Sequence, residues 1–148
     1  GTIRDNILYG NECFLHLSDA ELMQEMKEVG LDGLLSRFEG GLHAEIKPTG
    51  ESLSLGQKQI IAFIRAVIRR PNLLILDEAT ANIDTVTEQL LDEILRKLPK
   101  TTTKIIIAHR MNTIESADEI FFINSGSITR AGSFKEAVSL LLQGKRES

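Results

Sequence analysis

Up to residue 70, apolar residues recur mainly at helical spacing; beyond it, short unbroken apolar runs alternate with helical stretches. Ile3, Ile7 and Leu8 suggest a short helix within Gly1 to Glu12, stopped by Gly10-Asn11. Ser18-Asp19-Ala20-Glu21 is a capping box, after which Leu22, Met23, Met26 and Val29 form one apolar face as far as Gly30. Another short helix is expected over Asp32 to Phe38, closed by Gly40-Gly41, and Lys47-Pro48-Thr49-Gly50 reads as a turn. From Ser54 to Arg69 the apolar positions Ile60, Ile61, Phe63, Ile64, Val67 and Ile68 wrap so far round that most of this helix should be buried.

Arg69-Arg70-Pro71-Asn72 ends that helix. Leu73 to Leu76 follows without polar alternation, the pattern of a strand covered on both faces of a parallel sheet. Thr85-Val86-Thr87-Glu88 reads as a second capping box, with Leu90, Leu91, Ile94, Leu95 and Leu98 as the buried stripe of its helix and Pro99 as its end. Lys104 to Ala108 is a further buried-strand candidate. Glu119 to Ile123 and Ser127 to Ala131 flank Asn124-Ser125-Gly126, a hairpin or a tight corner. Ser133-Phe134-Lys135-Glu136 should cap a last helix through Leu142, with Gln143 to Ser148 frayed.

A chain of 148 residues with 42% hydrophobic content can fill one core, or two lobes sharing one. A net charge of -4 provides no bulk basic field, so nucleic acid and anionic lipid are not expected partners. Cys13 is the single cysteine, which rules out an internal disulfide and fits a reducing compartment. No apolar run approaches the ~20 residues of a membrane helix, and no basic-then-apolar leader opens the chain. Gly1-Thr2-Ile3-Arg4 reads like the middle of something longer.

Chemistry gathers between Thr49 and Asp84, with one addition at His109. Asp77 and Glu78 fall just past the carboxyl end of the Leu73 strand, the edge where open α/β sheets collect their ligands. A carboxylate there can hold Mg2+, and its neighbour can orient or deprotonate an attacking water. An isolated Asp-Glu pair would more simply begin a solvated loop; the surrounding blocks reverse that balance. Leu53-Ser54-Leu55-Gly56-Gln57 is a small polar loop at a helix start, where free N–H groups and the helix dipole attract anions. By itself it is also an ordinary serine cap. His109 ends the Lys104 strand on the same edge as Asp77 and Glu78, placed to hydrogen-bond a phosphate. His16 and His43 have no such context.

Together these blocks resemble the ABC ATPases. LSLGQ is similar to the LSGGQ signature, LLILDE looks like Walker B, ANID resembles the D-loop, and AHR carries the switch histidine. The opening GTIRDNI resembles the segment after the Q-loop of exporter-type transporters, and GESLSLGQKQ is closest in style to the multidrug-resistance-associated subfamily.

The resemblance implies an α/β fold: part of a P-loop NTPase (RecA-like) core with a mostly parallel sheet, preceded by an α-helical subdomain. It would divide the chain into a helical subdomain with the signature, residues 1–70, and the carboxyl-terminal half of the ATPase core, residues 71–148. It also implies roles. Asp77 would help hold Mg2+, through water, Glu78 would be the general base, His109 would contact the γ-phosphate, and Asp84 would couple the two sites. Ser54, Gly56 and Gln57 would serve ATP held by a second nucleotide-binding domain in a head-to-tail sandwich. Transmembrane domains and a place on the cytoplasmic face of a membrane are implied for the whole protein.

Leu55 stands where the signature has its first glycine, and no G-x-x-x-x-G-K-[ST] P-loop is present. The only Gly-Lys pair, Gly144-Lys145, is followed by Arg146. The expectation is therefore a carboxyl-terminal part of a transporter ATPase that is not competent alone. In the family's sheet the P-loop strand lies between the His109 strand and the Glu119 strand, so its absence leaves two unpaired edges, and direct re-pairing, a swapped or paired oligomer, or disorder in residues 100 to 131 is expected. The alternatives are a non-catalytic regulatory module or a non-transport ABC ATPase. The latter places a coiled coil before the signature, whereas about fifty residues without a heptad run precede LSLGQ here.

Overall fold

The computed structural model describes residues 1–47, 53–77, 83–107, 117–124 and 126–144. Glu78, His109, Ser125, the 145–148 tail and the turn beyond Lys47 lie outside the described residues. The chain divides into two compact units, Gly1–Ile105 and Ile106–Ser148.

In the first unit, helix α1 spans Ile3–Leu8 and α2 spans Asp19–Glu28. Both start with the capping box that satisfies free helix-end donors: Thr2 with Asp5, and Ser18 with Glu21. The Ser18 box was legible in the sequence; Thr2-x-x-Asp5 has the same pattern. Glu12–Phe14, Asp32–Arg37 and Gly41–His43 are 3-10 helices. The Asp32 segment, bounded by glycines at 30 and 40, takes the tighter helix that is frequent in short connecting pieces.

Helix α3, Leu55–Val67, buries Ile60, Ile61, Phe63, Ile64 and Val67, as its pattern requires. It packs against α1. Arg65 Nε donates to the Asn6 carbonyl at 2.8 Å, and the Arg65 guanidinium lies 5.4 Å from the centre of the Tyr9 ring. Asn11, buried, donates to the carbonyls of Ile7 at 3.0 Å and Arg65 at 3.4 Å and accepts from Arg69. Together with Leu22, Met26, Leu31 and Leu34, which are fully buried, α1 and α3 form the centre of this unit. Each such side chain contributes about 1.5–3 kcal/mol by leaving water.

Arg70 adopts φ +48 where α3 ends. The following Pro71 disfavours right-handed helical backbone at this position, and two ion pairs, to Glu25 at 2.9 Å and Glu28 at 2.6 Å, hold the residue.

Strand β1 spans Leu73–Asp77, α4 spans Thr85–Lys97 and β2 spans Thr103–Ile107; β1 and β2 form a small parallel sheet with α4 as their connection. Thr103 N–H donates to the Asn72 carbonyl at 2.8 Å at the start of the pairing. Leu91, Ile94, Leu95 and Leu98 are buried, as read.

Two expectations need correction. Burial of β1 on both faces does not hold: Leu74 and Leu76 are buried, but Leu73 and Ile75 are 52% and 59% exposed. On β2, Ile105 and Ile107 are each 48% exposed. An unbroken apolar run records what a strand can be covered by, and this chain covers one side. The cap of α4 is also displaced by one residue: Asp84 is the N-cap and Thr85 already lies in the helix, because the Asp84 carboxylate accepts from both groups of Thr87.

In the second unit, β3, Ile120–Asn124, pairs antiparallel with β4, Ser127–Ala131, in the expected hairpin, with Ile120 opposite Ala131 and Asn124 opposite Ser127. Gly126 at φ +80 supplies the left-handed backbone that the turn needs. Helix α5, Phe134–Gly144, packs on both strands and extends two residues past its expected end. The strands thus form two separate two-stranded sheets among the described residues.

Candidate functional site

Ser54 is the N-cap of α3, with extended backbone at φ -64 and ψ 160. Its hydroxyl oxygen accepts the Gln57 N–H at 3.1 Å, and Gln57 Oε1 accepts the Ser54 N–H at 3.0 Å. The reciprocal cap leaves the two-residue start of the helix, Leu55 and Gly56, with backbone donors that have no intrahelical acceptor. A hydroxyl that accepts through a lone pair still carries one O–H to donate. Ser54 is exposed and Gly56 buried. At its exposed residues Ser54 and Leu55, this end of α3 therefore offers a hydroxyl, a helix-start N–H and the positive end of a 13-residue helix, a suitable environment for a phosphate oxygen.

Leu55 occupies ordinary helical backbone and is 57% exposed. Its position needs no positive φ, so the glycine of the signature is not demanded here by the fold of this chain.

Gln57 is committed twice. Besides holding Ser54, it donates through Nε2 to the Arg37 carbonyl at 2.9 Å. Sequence reasoning grouped Gln57 with the nucleotide-binding residues; in this structure its carboxamide is occupied by internal contacts.

Asp84 caps α4. Oδ1 accepts the Thr87 N–H at 3.0 Å, Oδ2 accepts the Thr87 hydroxyl at 2.7 Å, and Arg37 Nη2 lies 3.7 Å from Oδ1. These contacts hold the carboxyl below the ordinary aspartate range, chiefly through the Thr87 hydroxyl and N–H, with Arg37 adding a smaller attraction. Thr87 is fully buried. Neither Thr87 nor Arg37 was singled out from sequence. The spacing Asp84-x-x-Thr87, an acceptor three residues before a donor at a helix start, is the signal that could have found the first.

Asp77 ends β1 and is exposed at the carboxyl end of the strand. A single solvent-facing carboxylate there suits a hard cation whose other oxygen ligands come from water and phosphate, as Mg2+ prefers. Among the described residues no cluster of three or more acidic, histidine or cysteine side chains gathers into a metal site. Glu78 and His109, the sequence candidates for base and switch, lie outside the described residues.

Residues 2–81 match the family model described as ABC transporter. The chain is 44% identical over 138 residues to an uncharacterised ABC transporter ATP-binding protein of Bacillus subtilis, covering 93% of this chain and 22% of that protein. It is 40% identical to a putative export ATP-binding/permease protein of Rickettsia conorii, covering 92% of this chain and 23% of the relative. A bacterial Atm1-family ABC exporter solved with ATP bound is similar in structure, with TM-score 0.74, 33% identity, and coverage of 96% of this chain and 24% of the solved one.

The chain belongs to the ABC transporter family, and it is ATP-binding-domain sequence of the exporter type with a P-loop NTPase fold. It spans under a quarter of the length of these relatives. Among the described residues no helix is long and apolar enough to cross a membrane.

Proposed function

We propose that this chain is the signature-to-switch part of an exporter ATPase, and that the whole protein couples ATP binding and hydrolysis to transport across a membrane. The observation that carries this reading is the cap of α3, where Ser54 and Leu55 are exposed at the start of the helix. In this reading Ser54 and Gly56 meet the γ-phosphate of an ATP bound by a second nucleotide-binding domain, in a head-to-tail sandwich. Gln57 serves that contact from behind, by fixing Ser54.

The other residues act on the chain's own nucleotide. Glu78 accepts a proton from the water that attacks the γ-phosphoryl in line, His109 donates to a γ-phosphate oxygen and keeps water and phosphate aligned, and Asp84 joins the two sites. Asp77 would hold Mg2+ through water; the ion supplies charge neutralisation on the phosphates. Residues 1–70 then act as the signature-bearing helical subdomain and residues 71–148 as half of the catalytic core. The working assembly includes transmembrane domains and sits at the cytoplasmic face.

Substitution Glu78→Gln in the full-length protein tests the reading. Turnover should vanish with ATP still bound, because an amide cannot accept the water's proton; hydrolysis at the parental rate would remove Glu78 from that role. The chain by itself should show negligible ATPase activity and weak nucleotide affinity, since it lacks the P-loop lysine and backbone donors that hold the β- and γ-phosphates.

A further inference from the structure

Arg37 closes the 3-10 helix Asp32–Arg37, which packs against α4, and it touches both caps described above. Its carbonyl accepts the Gln57 carboxamide at 2.9 Å, and its guanidinium lies 3.7 Å from the Asp84 carboxylate. Gln57 in turn fixes the Ser54 N–H at 3.0 Å. A short path therefore runs from Ser54 through Gln57 and Arg37 to Asp84, joining the starts of α3 and α4. The Arg37 Nε is buried and has no hydrogen-bond partner among the described residues.

We propose that Arg37 is a positioning residue that holds the Ser54 cap and the Asp84 cap in register, so that the signature contact with one nucleotide and the loop after the catalytic base of the other move together. The inference rests on the ATPase reading given above. A half-exposed ion pair at this distance adds little to stability, so its effect belongs in turnover and not in folding. Displacements of about 1 Å in a catalytic arrangement are enough to slow it greatly.

The test compares Arg37→Gln and Arg37→Lys in the full-length protein, read by kcat, KM for ATP and the thermal unfolding midpoint. Arg37→Gln should lower kcat about threefold to tenfold with KM little changed and the midpoint unmoved, and Arg37→Lys should recover most of the loss. Asp84→Asn should show a similar fall, and the Arg37→Gln, Asp84→Asn double variant should be no slower than the worse single variant. Parental kcat in Arg37→Gln, no recovery in Arg37→Lys, or additive losses in the double variant would each overturn the proposal. Should Arg37→Gln lower the midpoint, the cycle is run with Arg37→Lys and Asp84→Asn, and additive losses there overturn it equally. Glu78→Gln serves as the control: hydrolysis surviving in it refutes the ATPase reading itself, whereas hydrolysis lost in it but intact in Arg37→Gln refutes only the register.

Discussion

The Gln57 carboxamide oxygen accepts the Ser54 backbone N–H at 3.0 Å while the Ser54 hydroxyl accepts the Gln57 N–H at 3.1 Å. The serine on which the proposed ATP contact depends is therefore also a structural cap, and the two roles can be separated by chemistry. Ser54→Ala removes both and should cost about 0.5–2 kcal/mol of stability. Ser54→Asp keeps an N-cap acceptor but replaces the O–H donor with a negative charge facing the phosphate. We expect near-parental thermal unfolding for Ser54→Asp with ATP turnover of the full-length protein lost. Retained turnover in that variant would leave Ser54 as a cap alone.

Ile64 lies at the centre of the contact between α3 and the elements around it and has no exposure to solvent. Ile64→Ala removes buried methyl and methylene groups and leaves a cavity, which should lower stability by about 2–5 kcal/mol. Urea unfolding followed by circular dichroism measures it, and a loss below about 1 kcal/mol would mean that the site can collapse around the smaller side chain.

The Asp84 carboxyl titrates below its ordinary range because Thr87, and to a lesser degree Arg37, favour the ionised form. A depressed folded value means that the cap contributes fully above the ordinary aspartate pKa and is lost as pH falls through the lowered folded value. As pH falls below about 4 the unfolding midpoint of the parental chain should fall more steeply than that of Asp84→Asn, whose amide caps without titrating. Equal slopes would show that the cap does not depend on the charge.

Leu73 and Ile75 on β1, and Ile105 and Ile107 on β2, expose apolar surface of the kind that drives association. On β2 this is the side away from α4, since Lys104, the intervening residue, reaches the Leu95 carbonyl of α4 at 3.0 Å. The chain in isolation should self-associate over the micromolar range, and the pair Ile75→Thr with Ile105→Thr should reduce that association while the helical circular dichroism signal is retained. Sedimentation velocity at several concentrations distinguishes the two; a parental chain that stays monomeric throughout would remove the prediction.

The sequence alone determined the elements whose causes are local. Ser18 with Glu21, the wrapped apolar face of α3, the stripe of α4 and the glycine-bearing connection between β3 and β4 each depend on residues a few positions apart, so spacing suffices to read them. The blocks similar to the signature, Walker B, D-loop and switch were legible in the sequence only through their resemblance to the ABC ATPases.

Only the tertiary structure decided which side of β1 is covered, because an apolar run reads the same whether one face or both meet a partner. Likewise, a competition between Asp84 and Thr85 to cap α4 is settled by where the Thr87 side chain is buried. Arg37 escaped notice for the same reason. It lies 20 residues from Gln57 and bridges it to Asp84 only after the 3-10 helix, α3 and α4 have packed, and no periodicity records a contact made by folding.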